Sequence, residues 1–282
     1  MSDRVLRAMT DDSMFRVIVA ETTLTTRDVV SLQKAVLPTA AHLADLLTSA
    51  VLFRETMSPE LRVQWILRGT DGKASIVADA HPSGATRGVV QLAAERSSTS
   101  LGSGASLQVM RTLQNGQISQ GLIELDGAAG LAEAFMLYMH RSEQIESVVG
   151  IGSRFDGDRV VKAAGFVVQL LPDLNRAHLS IMLERLRDYT GLREQLADER
   201  FSPEWLLGEL LWGMPFTQTG SSNVQAECWC SELRVMGALA TLGRHELQEL
   251  STSSQVLEID CEYCRKHYEI SPARLRGLLD ES

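Results

Sequence analysis

The placement of the cysteines constrains this chain most. There are four, and all of them fall near the C-terminal end, as Cys228-Trp229-Cys230 and Cys261-Glu262-Tyr263-Cys264. Two tight thiol pairs from opposite ends of a short stretch are what a tetrahedral four-cysteine zinc site requires. The C-x-x-C spacing lets a turning backbone aim both sulfurs at one cation. The C-x-C spacing crowds two thiolates on one bend, which the charge of a metal makes tolerable. Four protein sulfurs leave no coordination position for water or substrate, so such a site serves folding or switching rather than hydrolysis. The expected ligands are Cys228, Cys230, Cys261 and Cys264, holding one zinc ion.

The chain has 282 residues, enough for two or three domains. Its net charge of −9 argues against a general nucleic-acid surface and against an anionic membrane. Residues 223–282 alone carry ten acids against six bases, whereas a zinc ribbon that grips phosphates should be basic. The N-terminal stretch MSDRVLRAMTDDSMFRV has acids where a secretion signal needs a cationic start and an apolar run. No run of about 18 uncharged apolar residues occurs. The expected location is the cytoplasm, where cysteines stay reduced and clustered thiols point to metal or redox chemistry.

Along the chain, residues 14–21 read as a strand and residues 37–57 as a helix with an apolar stripe, Leu43, Leu46, Leu47, Ala50 and Val51 among it. Residues 61–125 alternate or run apolar in five segments separated by turn signals at Asp71-Gly72, Pro82-Ser83-Gly84, Gly102-Ser103-Gly104 and Asn115-Gly116, which suggests an antiparallel meander. Gly102-Ser103-Gly104 lacks the Gly-Lys-Ser/Thr of a phosphate loop, and a hairpin turn accounts for it. Residues 129–147 read as a helix, followed by two strands joined at Asp156-Gly157. His140, Arg141 and Glu143 on that helix fit a solvated face better than acid–base work. No nucleophile elbow, histidine metal motif or catalytic carboxylate pair occurs in this half, so no enzyme activity is expected of it. The fold expected is α+β: an N-terminal antiparallel sheet domain with helices over residues 1–173.

After Pro172 the strand signals stop. Leu179, Met182, Leu183, Leu186 and Tyr189 follow a helical period, and Ser202-Pro203-Glu204 is a helix start, with Ser as cap, Pro in the first turn and an acid at the positive helix end. The helix that follows, WLLGELLWG, is almost wholly apolar. Residues 174–222 thus read as a helical linker with more apolar surface than a free connector leaves in water, ending in the Thr217–Ser222 tract. Residues 223–282 read as a small four-cysteine module: a helix in SELRVMGALATLG, a short helix over Arg244–Leu250, the strand VLEID, a second strand with Tyr268 and Ile270, and a terminal helix opened by Ser271-Pro272. His267, three residues past Cys264, is expected to be structural or to support a ligand from behind.

These cysteine motifs, with Ser231 and Tyr268 at their positions, resemble the bacterial 33-kilodalton heat-shock chaperonins. The resemblance extends to Arg87-Gly88-Val89, Gln120-Gly121-Leu122, Arg141-Ser142-Glu143-Gln144, Ala164-Gly165 and Gln169–Pro172, and so covers nearly the whole chain. It implies a redox-regulated, ATP-independent holdase with an N-terminal client-binding domain, a metastable linker and a C-terminal switch. In that family the reduced form holds zinc and is inactive. Oxidation pairs Cys228 with Cys230 and Cys261 with Cys264, expels the metal and exposes a surface that binds unfolding client proteins, with a homodimer on oxidation. Two residues depart from the family's pattern. Trp229 is bulkier than what usually separates the first cysteines, and Arg265 stands where glycine is common. The residues themselves leave room for a dithiol–disulfide oxidoreductase using Cys261 and Cys264, for a constitutive structural zinc protein, and for a nucleic-acid-binding ribbon, which the charge disfavours.

Overall fold

The computed structural model describes residues 2–70, 72–92, 102–113, 115–125, 130–171, 176–189, 191–252 and 255–280. Asp71 of the first expected turn, Pro172 and the first linker residues, 174 and 175, lie outside the described residues, as does Ala129 at the start of the expected third helix. The chain divides into two compact units, Met1–Glu227 and Cys228–Ser282.

The first unit is α+β. Its elements in order are β1 (Asp3–Thr10), β2 (Phe15–Glu21), α1 (Thr23–Gln33), α2 (Thr39–Thr56), β3 (Arg62–Arg68), β4 (Ser75–Ala80), β5 (Ala85–Gln91), β6 (Ala105–Thr112), β7 (Ile118–Leu125), α3 (Leu131–Tyr138), β8 (Ser147–Asp156), β9 (Arg159–Leu170), α4 (Arg176–Leu186), α5 (Pro203–Leu210) and β10 (Phe216–Ala226). The ten strands form one sheet in the order β7-β6-β3-β4-β5-β10-β1-β2-β9-β8. Strands β3, β4 and β5 run as the expected meander. Strand β6 departs from it, returning to the far side of β3 instead of extending from β5.

The period-2 patterns place alternate side chains inside, as in β3, where Val63, Trp65 and Leu67 are buried and Arg62, Gln64, Ile66 and Arg68 are less so. Helix α2 is more enclosed than a one-sided stripe: its polar Thr48 and Ser49 are buried too. Their hydroxyls return to the carbonyls of Ala44 and Asp45, and Thr48 also meets Thr22 at 2.6 Å, so burial leaves these groups paired. Phe53, Trp65, Phe135 and Tyr138 form an aromatic cluster between α2, β3 and α3.

Several landmarks in the N-terminal half have packing reasons. A Cβ on Gly88 would lie 2.9 Å from Leu43 Cδ1, so the glycine lets α2 settle on β5. Gly165 plays the same part for β9, 2.8 Å from Leu52 Cδ1. Arg87 and Arg62 both grip the fully buried Asp79 carboxylate, which satisfies a charge that could not be buried alone. The expected helix over 129–147 ends earlier: after α3 the chain makes a wider helical turn over Met139–Glu143, and Gln144 stops it in the left-handed region at φ 58°. Gly102-Ser103-Gly104 is a turn, with the Ala105 N–H donating to the Gly102 carbonyl.

Residues 176–211 cover the other face of the sheet. Met182, Leu186, Leu192, Leu196, Phe201, Leu206, Leu207, Leu210 and Leu211 bury themselves against Leu6, Val17, Val19, Phe166 and Val168. The apolar excess read in WLLGELLWG thus divides: four leucines dock, while Trp212 is 75% exposed. Ser202 accepts the Trp205 N–H at 3.1 Å, the expected helix cap. Polar ties supplement the packing. Arg193 reaches Asp45 of α2, whose carboxylate Ser153 also binds at 2.6 Å, and Lys162 lies over the Phe201 ring.

The tract Thr217–Ser222, read from sequence as part of a helical linker's end, is strand: it belongs to β10, in the middle of the sheet. Its polar, glycine-containing sequence has little strand propensity, and pairing with β1 imposes the conformation.

Candidate metal centre

The C-terminal unit consists of α6 (Glu232–Leu239), α7 (Arg244–Thr252), the hairpin β11 (Leu257–Asp260) with β12 (His267–Ile270), and α8 (Pro272–Asp280). Its buried apolar core comprises Leu239, Leu247, Ile270 and Leu275. Each cysteine pair is placed by a local device. Cys230 immediately precedes Ser231, which caps α6 by accepting the Arg234 N–H at 3.3 Å. Cys261 and Cys264 occupy the turn between β11 and β12, closed by the Arg265 N–H donating to the Cys261 carbonyl at 2.7 Å and the Cys261 N–H donating to the Lys266 carbonyl at 2.9 Å.

The structure brings all four predicted residues together. The sulfurs of Cys228, Cys230, Cys261 and Cys264 lie within 4.8 Å of one another, and each cysteine is half-buried and free of disulfide bonding. Cys230 and Cys264 approach to 3.3 Å, and Cys228 and Cys261 to 3.8 Å. Tetrahedral ligation with metal–sulfur bonds of about 2.3 Å puts sulfurs about 3.8 Å apart, so the donor set fits one thiophilic cation.

Burial works against ionising either Cys230 or Cys264. At Cys230 the Tyr268 hydroxyl, donating at 3.0 Å, and the neighbouring thiols outweigh it and bring the thiol down to about 7. Cys264 is pushed up to about 12 by burial and by donating to Cys230, although the Lys266 backbone N–H opposes the rise. Between these two thiols, the surrounding protein groups thus favour the thiolate at Cys230. A divalent cation would change that, because a coordinated thiol is deprotonated outright.

Tyr268, read from sequence as a hairpin residue and as part of the resemblance, also touches the thiol cluster, a contact that sequence reasoning did not anticipate. The signal for it was the period of β12, which turns Tyr268 and Ile270 inward together while His267 and Glu269 face out. His267, weighed for a supporting role, instead meets the Asp260 carboxylate at 2.8 Å across the hairpin and is structural. That carboxylate raises its pKa. Arg265 sits at φ 58°, the left-handed region where a side chain is strained, which explains why glycine suits the position. In the first unit, His140 meets Glu146 at 2.9 Å on an exposed face, whereas Glu143 and Arg111 pair at 3.0 Å with both side chains largely buried, so the solvated face expected from sequence holds for His140 and not for Glu143.

Comparisons with known proteins agree with this geometry. The family profile described as Hsp33 protein matches residues 3–271. The 33 kDa chaperonin of Citrifermentans bemidjiense is 29% identical, covering 100% of this chain and 98% of the relative. That of Syntrophotalea carbinolica is 26% identical, covering 99% and 100%. The crystal structure of the 33 kDa chaperonin of Thermotoga maritima, a heat shock protein 33 homolog, superimposes with a TM-score of 0.81 at 20% identity, covering 100% of this chain and 99% of that one, and so matches its fold.

Proposed function

Since this chain belongs to the Hsp33 family and is a chaperone by that membership, we propose that it is an ATP-independent holdase switched by oxidation of its four cysteines. The observation that carries the reading is the thiol cluster in a unit whose buried apolar core is four residues. A module of that size needs an added staple. The metal proposed is zinc, one ion, which when bound keeps the sulfurs as thiolates and joins the start of α6 to the β11–β12 turn.

In the reduced state, residues 174–222 act as a linker docked on the client-binding domain of residues 1–173, and residues 223–282 act as the switch. Oxidation takes two electrons from each of two thiol pairs, Cys228 with Cys230 and Cys261 with Cys264. With hydrogen peroxide as acceptor, each pair forms one disulfide and the peroxide leaves as two water molecules. A sulfur committed to a disulfide is no longer a thiolate ligand, so metal affinity is lost and the small core cannot hold the module folded. Undocking of the linker then bares apolar faces on both sides of its interface, the surface that an unfolding client would bind. The pairing itself rests on the family resemblance, since the cross-pair approaches of 3.3 and 3.8 Å interleave the sulfurs.

The site proposed for this work is cytoplasmic, with unfolding proteins as partners, neither nucleic acid nor membrane, and a homodimer on oxidation. No helix among the described residues is long and apolar enough to cross a membrane.

The test is a peroxide titration at elevated temperature, reading zinc release, disulfide mapping, protease sensitivity of residues 174–222 and suppression of client aggregation. All four are expected to change together. Zinc retained under peroxide while clients are still protected would leave a constitutive zinc protein. Turnover in insulin reduction would instead favour an oxidoreductase at Cys261 and Cys264.

A further inference from the structure

Strand β10 joins two half-sheets. On one side lie β7, β6, β3, β4 and β5, on the other β1, β2, β9 and β8, and among the described residues β10 is the strand that links them. Against β1 it pairs antiparallel from Asp3↔Val224 to Thr10↔Phe216, with an irregularity between Arg7 and Ala8. Against β5 it pairs in parallel only at Gln225↔Ala85 and Ala226↔Thr86. The Gln225 N–H donates to the Gly84 carbonyl and the Glu227 N–H to the Thr86 carbonyl.

The strand is central in the sheet, and most of its side chains are exposed. Val224 is its one buried side chain, and Phe216 through Thr219 are exposed. Ser222 supplies a polar grip, accepting from Arg7 at 3.1 Å and donating to Glu55 at 3.2 Å. What holds β10 is therefore mostly backbone hydrogen bonding, with few of the apolar contacts that make a segment resist local opening. Helix α2 packs on β3, β4 and β5 of one half and on β2, β8 and β9 of the other, and one apolar core runs through both. Withdrawing β10 would unpair the edge of β1 over Asp3–Thr10 and that of β5 at Ala85 and Thr86, leaving a slot between them. Unpaired buried N–H and C=O groups are costly, and open strand edges template further strands.

We propose that this slot is a client-binding site: β10 is an autoinhibitory strand, and an extended segment of an unfolding protein replaces it between β1 and β5. The proposal rests on the reading above that oxidation releases the segment leading to Cys228, which follows β10 after one residue, Glu227. The chemistry of the slot indicates what it takes. Recognition through backbone pairing is indifferent to most of the partner's sequence, which suits a protein that must hold many clients. Preference enters at the Val224 position, which accepts an apolar side chain.

The test uses the full-length protein and hydrogen exchange in three states: reduced, peroxide-oxidised, and oxidised with an unfolded client. Residues 216–226 are expected to lose protection on oxidation, and residues 3–10, with Ala85 and Thr86, to regain it when client is added. A peptide with the sequence of Phe216–Ala226 should bind the oxidised form only and displace client, whereas the same peptide N-methylated at alternate amides should do neither. Client capture with 216–226 still protected, or capture that the peptide leaves unchanged, overturns the slot while the switch reading stands. Protection of 3–10, Ala85 and Thr86 regained on self-association without client assigns the slot to a second copy of the chain, against the proposal. Release of zinc with no client capture removes both readings.

Discussion

The Tyr268 hydroxyl donates to the Cys230 sulfur at 3.0 Å, so Tyr268→Phe deletes one hydrogen bond and little volume. Groups that hold a ligand from behind typically contribute tenfold or more in metal affinity, and the variant should bind zinc roughly tenfold more weakly in a chelator competition. An unchanged affinity would show the hydroxyl to be packing only. At Arg265 the backbone decides. A side chain at φ 58° costs about 1 kcal/mol, and glycine avoids that cost while gaining freedom in the unfolded chain. Arg265→Gly should therefore stabilise the C-terminal unit against urea by less than about 1 kcal/mol. Neither effect can be read at its own position in the sequence. Tyr268 acts through a sulfur placed by α6, and Arg265 is strained because the turn between β11 and β12 closes around the cysteines.

Among the elements, α5 bears most on the switch. Its Leu206 is fully buried in the cluster that covers the sheet. Cutting a buried leucine to alanine costs about 2–5 kcal/mol through lost burial and the cavity left behind. Leu206→Ala should therefore leave residues 176–211 open to protease in the reduced, zinc-loaded protein, with client binding that no longer waits for peroxide. Protease resistance equal to the parent chain would argue that the linker is held by its polar ties instead. The apolar run of α5 and its Ser202 cap were legible in sequence because both are local patterns. Helix α1 was not legible. It is rich in threonine and valine, poor helix formers, and its first N–H groups, those of Leu24 and Thr25, are taken by the Asp3 carboxylate of β1 at 3.1 and 2.6 Å. A cap supplied by a distant strand leaves no mark in the helix's own sequence.

For the whole molecule, the two units differ in what stabilises them. The N-terminal unit has two extended apolar clusters, whereas the C-terminal unit has, among the described residues, one small cluster of four buried apolar residues around its hairpin and helices. Stripping zinc with a chelator under reducing conditions should therefore abolish amide protection across residues 232–280 and leave that of residues 3–80 close to the zinc-loaded value. Persistent protection in the C-terminal unit without metal would separate its folding from the thiol cluster.

The sequence by itself determined the thiol cluster, most of the strands and helices and the family resemblance, because each rests on spacing within a short window. The four cysteines that it marked are the four that the fold gathers within 4.8 Å. Only the tertiary structure decided what β10 is. Thr217–Ser222 reads as a polar boundary tract, and it becomes part of a central strand because β1, far away in the chain, offers backbone groups that a strand alone can satisfy. Hydrogen bonding of the backbone carries no side-chain signature, so the element that closes the sheet is the one its own residues disclose least.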